Sequence, residues 1–146
     1  MTTVETFAAA YYIASKAHEG QVDLSGKDYF LHPQRVADKF SDYTVKTVAI
    51  LHDTLEDTWV TEELLRKLFP GHICDAVVAL TRKSDESYGE YIKRLSCNYC
   101  ARKVKIADLE DNLNLSRLKE ITDEDLERAK KYAKWRNWLI DTDLPF

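Results

Sequence analysis

The sequence predicts an all-α protein, a helical bundle of about eight helices. Three observations carry that prediction. Apolar residues recur at three- and four-residue spacing and nowhere in strict alternation. Thr2, Thr61 and Thr122 each stand where a helix cap is expected. Only 4 Gly and 3 Pro interrupt 146 residues, which leaves long stretches free to stay helical.

Taken in order, Thr2 with Glu5 has capping-box spacing and opens an Ala- and Tyr-rich helix running to about residue 19. Gly20 ends it, and 20–31 reads as a loop turning at Ser25-Gly26. His32 precedes Pro33, which suits a first helical position, so His32 is expected at the entrance of a helix over 33–41. A third helix is expected over 44–56. Thr61 caps a helix broken by Pro70-Gly71, and another covers 72–82. After a loop at 84–87 come helices over 88–95 and 98–118. Thr122 with Asp125 opens a final helix reaching about residue 140. No repeat or linker divides the chain, so residues 1–146 are expected to form one domain.

Composition narrows the class. A hydrophobic share of 45% and a charged share of 32% describe an ordinary globular protein. A net charge of −4 argues against a general nucleic-acid binder, so an anionic substrate would need a local basic patch. No apolar run matches a membrane span, and the N-terminus lacks the basic start of a signal peptide. Cys74, Cys97 and Cys100 are an odd set, which suits reduced thiols in a cytoplasmic protein. Cys97-x-x-Cys100 has no second cysteine pair and reads as helix packing.

The informative stretch is Ala49-Ile-Leu-His-Asp-Thr-Leu-Glu-Asp-Thr58. Val45, Val48, Ala49 and His52 form a core-facing stripe. At about 100° per residue, His52/Glu56 and Asp53/Asp57 then make two adjacent i,i+4 rows. Carboxylates aimed at a core are costly unless paired or metal-bound. The plain alternative is an exposed last turn with a His-Asp pair. The 98–118 helix repeats the pattern, since Ala101 and Val104 lead into Asp108, with Asp111/Asn112 one turn on. Two acids on inward helix faces plus His32 and His52 make a credible set of donors for a divalent metal. Lys16, Lys27, Arg82, Lys83, Arg102 and Lys105 are the basic candidates for phosphate. Lys105 leads them because it lies i,i+3 from Asp108. His18 reads as structural, His72 as surface, and Tyr88 and Tyr91 share a face that could stack on a base or pack in the core. Trp135 and Trp138 suit the core or a homodimer contact.

These residues resemble the HD-domain metal phosphohydrolases, and within them the hydrolase domain of the RelA/SpoT group and its small alarmone hydrolases. The likeness rests on His32-Pro33, His52-Asp53, Glu56-Asp57 and Lys105-Ile-Ala-Asp108-Leu-Glu-Asp-Asn112, with Ala17-His18-Glu-Gly20-Gln21, Gly26, Tyr29 and Tyr88-x-x-Tyr91. It implies an all-α bundle that binds Mn²⁺ through His32, His52, Asp53 and Asp108. It implies that Glu56 and Asp57 position and activate the attacking water, and that Asn112 contacts the ribose-phosphate region of a small phosphorylated nucleotide. The reaction implied is removal of the 3′ pyrophosphate from ppGpp or pppGpp, without the family's synthetase domain. Lys105, Lys27 and Arg82 join Asn112 as expected substrate contacts.

Two positions depart from the pattern. Asp23 stands where the resembling enzymes carry a guanine-packing Arg, and Asn114 replaces a further basic residue. Both fall on substrate recognition, so phosphates and ribose are expected to set substrate choice more than guanine does. Asp23→Arg is expected to restore base selectivity. The alternatives are an HD phosphatase of another nucleotide, such as a nucleoside monophosphate or NADPH, and a non-catalytic nucleotide-binding module. The intact acids at 56, 57 and 108 argue against the last.

Overall fold

A computed structural model describes residues 1–142, and among these no strand is present. The helices are α1 (Thr3–Ala17), α2 (Leu31–Asp38), α3 (Tyr43–Leu51), the single turn α4 (Thr54–Asp57), α5 (Glu62–Leu68), α6 (Gly71–Ala79), α7 (Tyr88–Leu95), α8 (Tyr99–Asn112) and α9 (Asp123–Asp141), with a 3₁₀ turn at Leu115–Arg117. Among the described residues no helix is long and apolar enough to cross a membrane.

The bundle is built around α3. Its Val45, Thr47, Val48, Ala49, Ile50 and Leu51 are all buried, and burial on nearly every side marks a central helix. It packs on α1, α2, α6 and α8. On α1, which packs against it, Ala10, Ala14 and Ala17 are buried in the core, a small-residue row at i, i+4 and i+7 that suits a close approach of two helices. α8 lies against α2, α3 and α6, while α9 lies across α8 and touches α7. A Cβ on Gly89 would come within 2.9 Å of the Trp135 ring, so α7 and α9 are close enough to require glycine there. Arg102 is buried and donates to the Leu139 and Thr142 carbonyls, tying the end of α9 to α8.

Most caps lie where the sequence puts them. Thr2, Thr61 and Thr122 accept backbone N–H groups of α1, α5 and α9, and Ser87 with Glu90 adds a capping box on α7. Several boundaries differ. α1 stops at Ala17, with His18 as its cap residue. α2 begins at Leu31, so His32 and Pro33 sit inside its first turn, where a missing N–H costs no helix hydrogen bond. α6 ends at Ala79, and Thr81 and Arg82 follow in a turn.

The expected 44–56 helix breaks at His52-Asp53. His52 Nδ1 donates to the Ala49 carbonyl (2.6 Å), and Thr54 Oγ1 donates to Leu51 O (2.7 Å). Side chains thereby occupy acceptors that a continuing helix would offer to its own N–H groups. α8 stops at Asn112, because Asn114 Oδ1 accepts the Ser116 N–H (3.1 Å) and closes a turn of its own.

Candidate metal centre and its cleft

Four elements deliver the centre. His32 comes from the first turn of α2, His52 from the end of α3, Asp53 from the break before α4, and Asp108 from α8. His32 Nε2 lies 2.7 Å from Asp108 Oδ1 and 3.7 Å from Asp53 Oδ2. His52 Nε2 lies 3.2 Å from Asp53 Oδ2 and 3.3 Å from Asp108 Oδ1. Donors about 2.1 Å from a small divalent ion at right angles stand about 3 Å apart, and these separations bracket that value.

Surrounding bonds set which atoms face inward. The His52 Nδ1–H is committed to Ala49 O, so its Nε2 presents a lone pair, and that buried nitrogen has no hydrogen-bond partner. A bare nitrogen beside two carboxylate oxygens is repulsive unless a proton or a metal cation sits among them, and a metal fits that unpartnered position. On the other side, His32 Nδ1 bonds Asp111 Oδ2 at 2.7 Å and leaves Nε2 toward the centre. Asp111 is in turn gripped by Arg35 through Nε (2.9 Å) and Nη2 (3.1 Å), and by Arg117 at 3.3 Å. Tyr29 OH donates to Asp53 Oδ2 (2.6 Å), and Lys105 Nζ donates to Asp108 Oδ2 (2.8 Å).

The electrostatics agree. Burial disfavours imidazolium, yet the hydrogen bonds to Asp108 and Asp111 raise His32 to about 9. Burial opposes charging of His52 as well, but Asp53 and Asp108 raise it well above its usual value. Burial would push Asp108 up, while Lys105 and His52 hold it well below the usual carboxylate range. These three groups thus favour positive charge at one point, carried by a proton or by a cation.

Glu56 and Asp57 lie on the exposed turn α4, and Asp53, Glu56 and Asp57 each bring a carboxylate oxygen within 4.8 Å of the others. Burial raises Glu56, although the Arg82 backbone N–H donates to its Oε1. Burial and the neighbouring Asp53 raise Asp57. His18 is buried, as its structural reading requires. Its Nδ1 meets Gln21 Oε1 (2.7 Å), and Gln21 Nε2 donates to the Asp57 carbonyl (2.7 Å).

The other expected contacts divide. Asn112 Nδ2 donates to Asp108 Oδ1 (3.3 Å) at the edge of the centre, and Lys105 is buried beside it. Arg82 is exposed and adjoins Glu56 through its backbone. Lys27 is exposed on the 18–30 loop, where its backbone N–H donates to Asp23 Oδ1 (3.0 Å), and its side chain has no bond to the centre. Arg102 is spent on capping α9, which removes it from the phosphate candidates. Tyr91 is a core residue whose OH donates to Leu80 O (2.7 Å), whereas Tyr88 stays half-buried. Cys100 is half-buried against the core, but Cys97 is exposed, so only one of that pair serves packing.

A shallow cleft of about 90 Å³ beside the centre is lined by Asp23, Ser25, Asn112, Asn114, Leu115 and Arg117, among others. Arg117 brings a cation to the cleft in which Asn114 stands in place of one. Nothing in local spacing marks it, because the 3₁₀ turn brings it back toward Asp111. Arg35 was equally silent, although it stands one helical turn after His32.

No family model matches the chain. Known proteins do. It is 32% identical over 122 residues to a GTP pyrophosphokinase of Myxococcus xanthus, covering 71% of this chain and 16% of that protein. It is 34% identical over 83 residues to the bifunctional (p)ppGpp synthase/hydrolase SpoT of Escherichia coli, covering 54% and 12%. It is 34% identical over 88 residues to a probable guanosine-3′,5′-bis(diphosphate) 3′-pyrophosphohydrolase of Mycoplasma genitalium, covering 58% and 12%. The chain therefore spans a small fraction of these relatives. A solved structure described as a metazoan ortholog of SpoT that hydrolyses ppGpp superposes with a TM-score of 0.71 and 26% identity, over 93% of this chain and 84% of that one. Sequence and fold together place the chain among the HD-domain proteins of the RelA/SpoT hydrolase type.

Proposed function

We propose that this protein is a divalent-metal-dependent phosphohydrolase of nucleotides that removes the 3′ pyrophosphate from ppGpp or pppGpp. The observation that carries the reading is the His52 Nε2 lone pair, buried and unpartnered between the carboxylates of Asp53 and Asp108. His32, His52, Asp53 and Asp108 would hold the ion, with Mn²⁺ as the proposed metal. When bound, such an ion lowers the pKa of a water and polarises a phosphoryl group.

The chain's own residues do the rest. Asp57 and Glu56 orient the attacking water and take its proton, and their raised pKa values suit that work. Glu56 keeps one oxygen on the Arg82 N–H, which leaves the other for the water. Lys105 holds Asp108 in place and contributes positive charge, and Asn112 stands where it can reach a sugar or phosphate. Arg82 and Lys27 are assigned to the phosphates from the solvent side.

The second reading is an HD phosphatase of another nucleotide. One feature favours it, the acidic Asp23 in the cleft. Arg117 in the same cleft weighs against it. Incubation of Mn²⁺-reconstituted protein with ppGpp, nucleoside monophosphates and NADPH separates the two. Pyrophosphate release from ppGpp is the expected result. Turnover of another nucleotide with ppGpp untouched would transfer the proposal to the second reading.

A further inference from the structure

Three cations surround the Tyr88 ring. Lys131 Nζ lies 4.1 Å from its centre, Lys105 Nζ 5.7 Å, and the Arg82 guanidinium carbon 6.0 Å. They come from three separate places in the chain, α9, α8 and the turn after α6. Lys105 is paired with Asp108, but neither Arg82 nor Lys131 forms an ion pair with a carboxylate among the described residues. The Arg82 guanidinium donates to the Glu86 backbone carbonyl (2.9 and 3.1 Å), which fixes its direction without neutralising it. A structural cation–π contact needs one cation per ring face, and a third brings only repulsion. Burial, followed by the charges of Arg82 and Lys105, accordingly lowers the Lys131 pKa.

We propose that Lys131, Arg82 and Lys105, held around Tyr88, form an anion site that grips the diphosphate of the substrate, so that α9 belongs to the binding site. This rests on the phosphohydrolase reading above. Two unneutralised cations beside a third are stabilised by an anion between them, and a diphosphate presents several oxygens to them at once. The position is apt, because Arg82 also donates its backbone N–H to Glu56, the acid assigned to the water. α9 reaches the site through its close approach to Gly89, where the Trp135 ring occupies the space of a side chain. Lys131 had no signal in the sequence, since it sits in a solvated charge run on the last helix.

The test uses inorganic pyrophosphate as the probe, titrated calorimetrically into the full chain with Mn²⁺ present, and needs no turnover. Lys131→Ala should weaken binding by roughly tenfold, the loss of one charged contact, and Lys131→Arg should retain it. Lys67→Ala on α5 is the control and should bind as the unmodified chain does. In steady-state hydrolysis the Lys131→Ala loss should appear in KM rather than kcat. Pyrophosphate binding to Lys131→Ala as tight as to the unmodified chain overturns the proposal. Weakened pyrophosphate binding with no nucleotide hydrolysed by any variant would keep the anion site and discard the phosphohydrolase reading instead.

Discussion

The candidate metal centre and the cleft beside it are neighbours built in different ways. In the centre every donor is held by a second bond, with His52 on Ala49 O, His32 on Asp111, Asp53 on Tyr29 and Asp108 on Lys105. The side chains there are nearly buried, and His32, His52 and Asp108 are 5%, 2% and 4% exposed. The cleft is made mainly of loop and turn residues beside the last turn of α8, open to solvent, and its loops are held mainly by bonds within themselves. Buried polar groups must be satisfied, so chemistry in the centre constrains residue types tightly. The cleft carries no such constraint, and its residues can change while the reaction stays the same.

If that contrast is right, breaking the centre should have the largest effect. Asp108→Ala should abolish stoichiometric metal binding and hydrolysis. It should also cost about 3–5 kcal/mol of stability, because Lys105 and His32 lose their buried partner. Metal analysis and urea denaturation check this, and full metal occupancy in the variant would remove Asp108 from the ligand set.

Glu56→Gln comes next. It should retain fold and metal while losing about 10²–10⁴ in kcat, the usual worth of a general base. Near-normal kcat would pass the role to Asp57.

Within the cleft, effects should be smaller and of a different kind. Asp23 Oδ1 accepts from Ser25 N (2.9 Å), Ser25 Oγ (2.7 Å) and Lys27 N (3.0 Å), stapling a loop whose Gly26 has φ +82°. The expectation that Asp23→Arg restores guanine selectivity therefore needs correction, because that substitution also removes the staple. Asp23→Asn retains an acceptor oxygen and removes only the charge. It should raise kcat/KM for ppGpp by a few-fold, whereas Asp23→Arg should lower it and speed hydrogen exchange across residues 20–28. Equal gains from both variants would show that the staple is dispensable.

The smallest effect tests a pair outside both regions. The hydrogen bond from Arg94 to Glu86 holds that carboxyl at about 2, below its usual 4.5. A depressed folded-state pKa means the pair stabilises above about pH 4.5 and loses that contribution as pH falls toward 2. Thermal melts of the unmodified chain and Glu86→Gln should therefore differ at neutral pH and converge near pH 2. A constant gap across that range would assign the difference to packing.

The sequence by itself determined the helical class and most caps, and it singled out the four side chains that the structure brings together at the candidate centre. Those features follow from local rules: helix periodicity, capping hydroxyls, and the cost of inward-facing acids, which makes His52-Asp53 and Asp108 conspicuous on apolar stripes. The tertiary structure decided the rest. The break after Leu51 depends on side chains competing for carbonyls, a contest that periodicity cannot register. Arg35 and Arg117 acquire their roles only when α2 and the 3₁₀ turn meet Asp111 from opposite sides. Lys131 reaches Tyr88 only because Gly89 lets α9 close on α7. A cation on a helix surface looks the same in sequence whether water or an active site lies beyond it, and its neighbours across space alone distinguish the two.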